Sequence, residues 1–178
     1  METIVVEREY DQPLTADRLH AAAADARWCL ENNRVNALYS YLAGDGRRLF
    51  CVFRAPDAES VRRSLRQLEG SHPNRAWTAA LIEPPSTGAT AARPPALALV
   101  ERSWDEPVAF EEVEALEESG ASCLELHRVR FLRTYFSNDR RRMLCLYAAP
   151  DAESVRLTQA KIGMPFDDVW PVTLVSHT

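Results

Sequence analysis

The chain has 178 residues, 46% of them hydrophobic and 26% charged, with a formal charge of −5 at pH 7. That is an ordinary globular balance, which argues against disorder outside a linker and a tail. The acidic sign, with arginines gathered in short clusters such as Arg47–Arg48 and Arg140–Arg142, leaves no basic stripe for phosphates, so nucleic acid is not an expected partner.

The start, METIVVEREY, has no basic leader segment, and no later run approaches a membrane span, so the expected location is cytoplasmic with no membrane partner. Residues 3–8 (TIVVER) are predicted as a strand, and residues 15–31 as a helix that places Leu19, Ala22, Ala23, Ala26 and Leu30 on one face. Residues 35–42 and 47–54 alternate as strands joined by the Gly/Asp turn AGDG. Pro56-Asp57 opens a second helix with Asp57 as N-cap and Glu59 in its first turn, and a strand follows over 76–82. Residues 83–96, EPPSTGATAARPPA, have four prolines and no apolar periodicity, and read as a linker. The same order of elements returns at 97–102, 110–124, 129–136, 141–148, 151–162 and 169–175.

RRLFCVFRAPDAESVR at 47–62 recurs as RRMLCLYAAPDAESVR at 141–156, with eleven of sixteen positions identical at a shift of 94. Unrelated stretches match at roughly one position in twenty, so the chain is one small unit written twice. The expected organisation is a first ferredoxin-like repeat over 1–82, the linker over 83–96 and a second repeat over 97–178. The fold class is α+β: two βαββαβ repeats whose sheets pack face to face as a pseudo-dimer, like a dimeric α+β barrel.

Strand alternation assigns the purely apolar positions Phe50, Val52, Leu144 and Leu146 to the helix side, together with Leu38, Leu42, Leu132 and Phe136. Leu49, Cys51, Phe53, Met143, Cys145 and Tyr147 then face away, as do Val35, Ala37, Tyr39, Tyr41, Val129, Phe131, Arg133 and Tyr135. A face of that composition needs cover. Tyr39, Tyr41, Phe53, Phe131, Arg133, Tyr135 and Tyr147 are the candidate ligand-binding residues, and Tyr41, Tyr135, Cys51 and Cys145 the candidate catalytic ones. For Glu7-Arg8 and Glu101-Arg102, alternation does not say which member faces which side, because both neighbours Val5 and Val6 are apolar. Cys29 and Cys123 read as small buried hydrophobes, and all four cysteines as free thiols. The histidines do not recur between copies, and no HxH, HxxxH or CxxC spacing is present. No GxGxxG, P-loop or GxSxG occurs.

SYLAGDGRRLFCVFRAPDAESVR, and more fully TYFSNDRRRMLCLYAAPDAESVR with the following GMPFDDVWPV, resembles a bacterial family catalogued as a domain of unknown function and associated with nickel-binding proteins. Its members look like single ferredoxin-like domains that dimerise through their sheets, with a motif SYV, a turn, YCVYxAP, a helix bearing a His, and GxP. The resemblance implies a fused dimer and nickel as the cofactor. The helix His aligns with Ser64 and Thr158, the aromatic before SYV becomes Ala37 and Phe131, and GxP survives only as Gly163-Met164-Pro165. Loss of both imidazoles removes the nickel ligands that the resemblance implies.

The functional expectation is a monomer or homodimer that binds a small organic molecule between its two sheets, with a cofactor-free cyclase or isomerase as one form of that activity. A nickel-binding protein is the alternative, with Cys51, Cys145 and His127 as the candidate metal ligands that the resemblance suggests.

Overall fold

The computed structural model describes residues 1–66, 75–84 and 96–177. Of the linker expected over 83–96, residues 85–95 lie outside the described residues. The first copy comprises β1 (Glu2–Glu9), α1 (Ala16–Asn32), β2 (Asn36–Ala43), β3 (Arg48–Ala55), α2 (Ala58–Arg66) and β4 (Arg75–Ile82). The second comprises β5 (Ala96–Ser103), α3 (Phe110–Ser119), α4 (Ala121–Leu126), β6 (Arg130–Ser137), β7 (Arg142–Ala149), α5 (Ala152–Lys161) and β8 (Asp168–Ser176). The chain divides into two compact units, Met1–Ala79 with Thr173–Thr178, and Ala80–Val172. Pairing runs β4-β1-β3-β2 in the first unit and β8-β5-β7-β6 in the second, antiparallel throughout. This is the ferredoxin-like order, and the chain is an α+β protein of two such repeats. No helix of the described residues is long and apolar enough to cross a membrane.

Local chemistry sets the element ends in both copies alike. Asp57 and Asp151 accept the backbone N–H of Ser60 and Ser154, each at 2.7 Å, so one carboxylate satisfies an orphan donor at the start of α2 and of α5. Left-handed backbone recurs at the shift of 94: Arg34 and Arg128 have φ of 55° and 54°, and Gly46 and Arg140 have 70° and 59°. One element departs from expectation. The single helix expected over 110–124 is split into α3 and α4 at Gly120, where a Cβ would stand 2.3 Å from Ile162 Cγ2. The helix is pressed against Ile162 there, and only glycine leaves the space.

The expected strand parity is reversed on β3 and β7. Leu49, Cys51 and Phe53 pack in one cluster with Leu19, Ala26, Leu30, Val61 and Leu65, so they lie beneath α1 and α2. Met143, Cys145 and Tyr147 likewise cluster with Val155 of α5 and with Phe110, Val113 and Leu124 of α3 and α4. Phe50, Val52, Leu144 and Leu146 occupy the opposite face. These strands are buried on both faces, so apolar purity could not separate the two sides.

On β2 and β6 a bulge decides the outcome. Ala37 pairs with Phe53 but Tyr39 pairs with Val52, and Phe131 pairs with Tyr147 but Arg133 with Leu146, so Leu38 and Leu132 are the extra residues. Val35, Ala37, Val129 and Phe131 therefore join the helix side, contrary to expectation, while Tyr39, Tyr41, Arg133 and Tyr135 face away from the helices as expected. The open question on β1 and β5 is resolved by the same register. Arg8 pairs with Leu49 and Arg102 with Met143, which puts both guanidinium groups on the helix side. Glu7 turns the other way and accepts from Trp77 Nε1 at 2.7 Å and Arg75 Nη1 at 3.3 Å.

Candidate functional site

Each unit has a half-open cavity of about 310 Å³ between its first helix and the helix-facing side of its sheet. The first owes its space to small side chains: Ala22, Ala23 and Ala26 on α1 stand over Ala37 on β2. Its walls are otherwise Leu19, Leu30, Phe53 and Leu65, and its polar groups are Arg8, Ser40, Cys51, His177 and the exposed Asp25. Ser40 Oγ lies 2.8 Å from His177 Nε2 and donates to Cys51 Sγ at 3.2 Å. With the proton on Nε2, the imidazole, hydroxyl and thiol form one donor chain. His177 reaches this place because its backbone N–H donates to Leu38 O at 3.2 Å. Partial burial, with His20 nearby, holds the His177 imidazole below its ordinary range, so it is neutral at pH 7.

The second cavity is lined by Glu117, Thr134, Cys145, Phe131 and the α3 residues Phe110 and Val113. Cys145 Sγ lies 3.0 Å from Thr134 Oγ1, and burial pushes its thiol above the ordinary range despite Arg102 close by, so it is a packed thiol at neutral pH. Tyr147 OH donates to Glu117 Oε1 at 2.8 Å, and the Tyr147 ring meets Phe131 edge-on at 5.8 Å. Burial holds the Glu117 carboxyl above the usual carboxylate range, while the Tyr147 hydrogen bond and the Arg102 charge draw it back.

The residues expected to line one pocket are thus distributed. Cys51 and Phe53 line the first cavity, and Cys145 and Phe131 the second, with Tyr147 packed on Phe131. Tyr41 and Tyr135 are buried on the opposite sheet faces, and Arg133 pairs there with Glu83 at 3.2 Å. Tyr39 sits half-buried on that face opposite Val52. All four cysteines are free thiols. The residues that sequence reasoning missed are Ser40 and Thr134, which recur at the shift of 94, and His177 and Glu117, which do not.

Nickel is a poor fit to these donors. Among the described residues no three His, Cys, Asp or Glu side chains are placed to hold a metal ion. His127 stands 3.0 Å from Lys161 Nζ, a cation that disfavours a second one. Ser64 and Thr158, at the positions of the helix His in the family motif, are fully buried and donate to the carbonyls of Ser60 and Ser154 four residues back.

Comparison with solved structures gives the fold. The chain is similar to a mutant chlorite dismutase from Candidatus Nitrospira defluvii, at 13% identity over 97% of this chain and 89% of that one, with a TM-score of 0.53. It is similar to the siroheme decarboxylase NirDL at 10% identity over 99% of this chain and 71% of that one, with a TM-score of 0.51. SCO4226 from Streptomyces coelicolor A3(2) aligns at 18% identity over 42% of this chain and 90% of that one, with a TM-score of 0.38. No curated protein matches the chain. One family model matches twice, over residues 5–77 and 99–172, once for each repeat described above. The chain therefore belongs to the nickel responsive protein SCO4226-like family, as two tandem copies of its domain.

Proposed function

We propose that the chain binds a small, largely apolar organic molecule in the cavity of its first unit, beneath α1. One observation carries this reading: a cavity of about 310 Å³ with leucine, alanine and phenylalanine walls and a few polar groups, Arg8, Ser40 and His177, converging in it. Apolar enclosure with sparse, placed polar groups is the usual make-up of a ligand site. The Ser40–His177 contact offers a bound molecule a hydroxyl and a neutral imidazole together. The family name points to nickel, but the donor set does not support a nickel site among the described residues.

Indole is a suitable neutral probe, titrated into the full chain by calorimetry and followed by saturation-transfer NMR. Binding is expected, and is expected to be lost in Ala37→Phe, which carries into the first cavity the residue that the second repeat has at Phe131. Circular dichroism checks that the variant folds. Indole that binds equally well to Ala37→Phe, or does not bind at all, would overturn the proposal. Stoichiometric nickel(II) retained by tag-free protein after dialysis would favour the metal reading instead.

A further inference from the structure

The two cavities share six equivalent lining positions, from Leu19/Val113 to Cys51/Cys145, and the two units differ in how a buried guanidinium is answered. In the second unit Arg102 is 2% exposed, and its Nη2 donates to Gln159 Oε1 at 2.6 Å. The Glu117 carboxylate acts on it electrostatically, and Tyr147 both interacts with it and fixes Glu117 by a hydrogen bond. Nε and Nη1 of Arg102 have no partner, so the nearby acid is what opposes its charge.

Arg8 is the counterpart in the first unit, 7% exposed and lining the cavity. Its polar neighbours are the Tyr10 phenol, which hydrogen-bonds to the guanidinium, and the Cys51 thiol, and its buried Nε has no hydrogen-bond partner. Three groups that answer Arg102 are replaced here by apolar ones at the shift of 94, Gln159 by Leu65, Tyr147 by Phe53 and Glu117 by Ala23, while Cys145 is kept as Cys51. Asp25 is the sole carboxylate among the residues lining this cavity; it is exposed on α1 and makes no ion pair with Arg8. A buried cation without an opposing charge is held at a cost that an anion in the cavity would remove.

We infer that the first cavity takes a molecule with an apolar body and one carboxylate, the carboxylate standing where Glu117 stands in the second unit. The inference rests on the reading of this cavity as a ligand site and adds the chemical class. About 310 Å³ equals roughly ten water volumes at ~30 Å³ each, so a monocarboxylate of about ten non-hydrogen atoms fits. The carboxylate sits beside the Arg8 guanidinium, which lines the cavity, and opposes its charge.

The probes are octanoate and its neutral isostere octanamide, titrated into the full chain by calorimetry. Octanoate is expected to bind with a stoichiometry of one and at least about tenfold more tightly than octanamide, the scale of one charge-assisted hydrogen bond. Arg8→Gln should bring octanoate down to the octanamide level and leave octanamide within about threefold of its wild-type affinity. Ala23→Glu, which installs the acid of the second repeat, should abolish octanoate binding, while Ala23→Gln, of the same size and neutral, retains it. These last two keep the test alive if Arg8→Gln does not fold. Equal affinity for octanoate and octanamide, or octanoate binding that survives Ala23→Glu, overturns the carboxylate and leaves the cavity reading standing. No binding of octanoate, octanamide or indole overturns both.

Discussion

Tyr147→Phe isolates one hydrogen bond in the second unit, because the first repeat already accommodates phenylalanine at the matching Phe53. The Tyr147 hydroxyl is fully buried and donates to Glu117 Oε1 at 2.8 Å. A hydrogen bond to an ionised carboxylate contributes about 1.5–3 kcal/mol, and a neutral one about 0.5–1.5 kcal/mol. Glu117 is only partly buried, so the lower half of the charged range applies, about 1.5–2 kcal/mol at pH 7. Burial raises the Glu117 carboxyl, so its contribution to stability is whole below the ordinary glutamate value and declines as pH rises through its folded value. The Tyr147 bond opposes that rise. Removing it lifts the carboxyl further and deepens the decline. Tyr147→Phe is therefore expected to cost about 1.5–2 kcal/mol at pH 7 and visibly less at a pH where Glu117 is protonated in both proteins. At pH 7 that is a drop in Tm of roughly 3–8 °C. Urea unfolding followed by circular dichroism at both pH values measures the difference, and a carbon NMR titration of Glu117 measures the upward move directly. An equal cost at both pH values, or a Glu117 titration that stays put, would refute the reasoning.

Gly120→Ala gains about 0.4–1 kcal/mol by restricting the unfolded chain but drives a Cβ to 2.3 Å from Ile162 Cγ2 and 2.8 Å from its Cβ, so a net loss of roughly 1–2 kcal/mol is expected. Thermal unfolding of Gly120→Ala with and without Ile162→Ala checks it: the second substitution should be less damaging in the Gly120→Ala background than alone. Arg140 holds φ of 59° where the first repeat has Gly46, so Arg140→Gly should stabilise by about 0.5–1 kcal/mol, read as a shift in the urea midpoint.

The fold was legible because two independent signals agreed: hydrophobic periodicity placed the elements, and the repetition around Cys51 and Cys145 required each copy to have the same order. What alternation could not reveal was which face of β3 lies under the helices. Phe50 and Cys51 are both buried, so a period of two separates the faces without labelling them. The bulges at Ala37/Tyr39 and Phe131/Arg133 added a second obstacle, since no glycine or proline marks either in the sequence. Those bulges keep Tyr41 and Cys51 on opposite faces, and so divide the candidate residues between two places. Arg8 was visible as a duplicated cation in an apolar strand, and its direction came only from its pairing with Leu49. His177 and Glu117 left no trace in the pattern, being unrepeated, and reach their cavities only through tertiary folding.

Covalent duplication has a consequence for how such a protein can change. In a homodimer of single-repeat chains, a codon altered in the gene alters both halves at once. Here the two halves mutate separately, so one could trade an internal acid for alanine while its twin kept that acid and the stability that goes with it. A tandem gene of this kind can explore a new molecule on one side with the other side held in reserve.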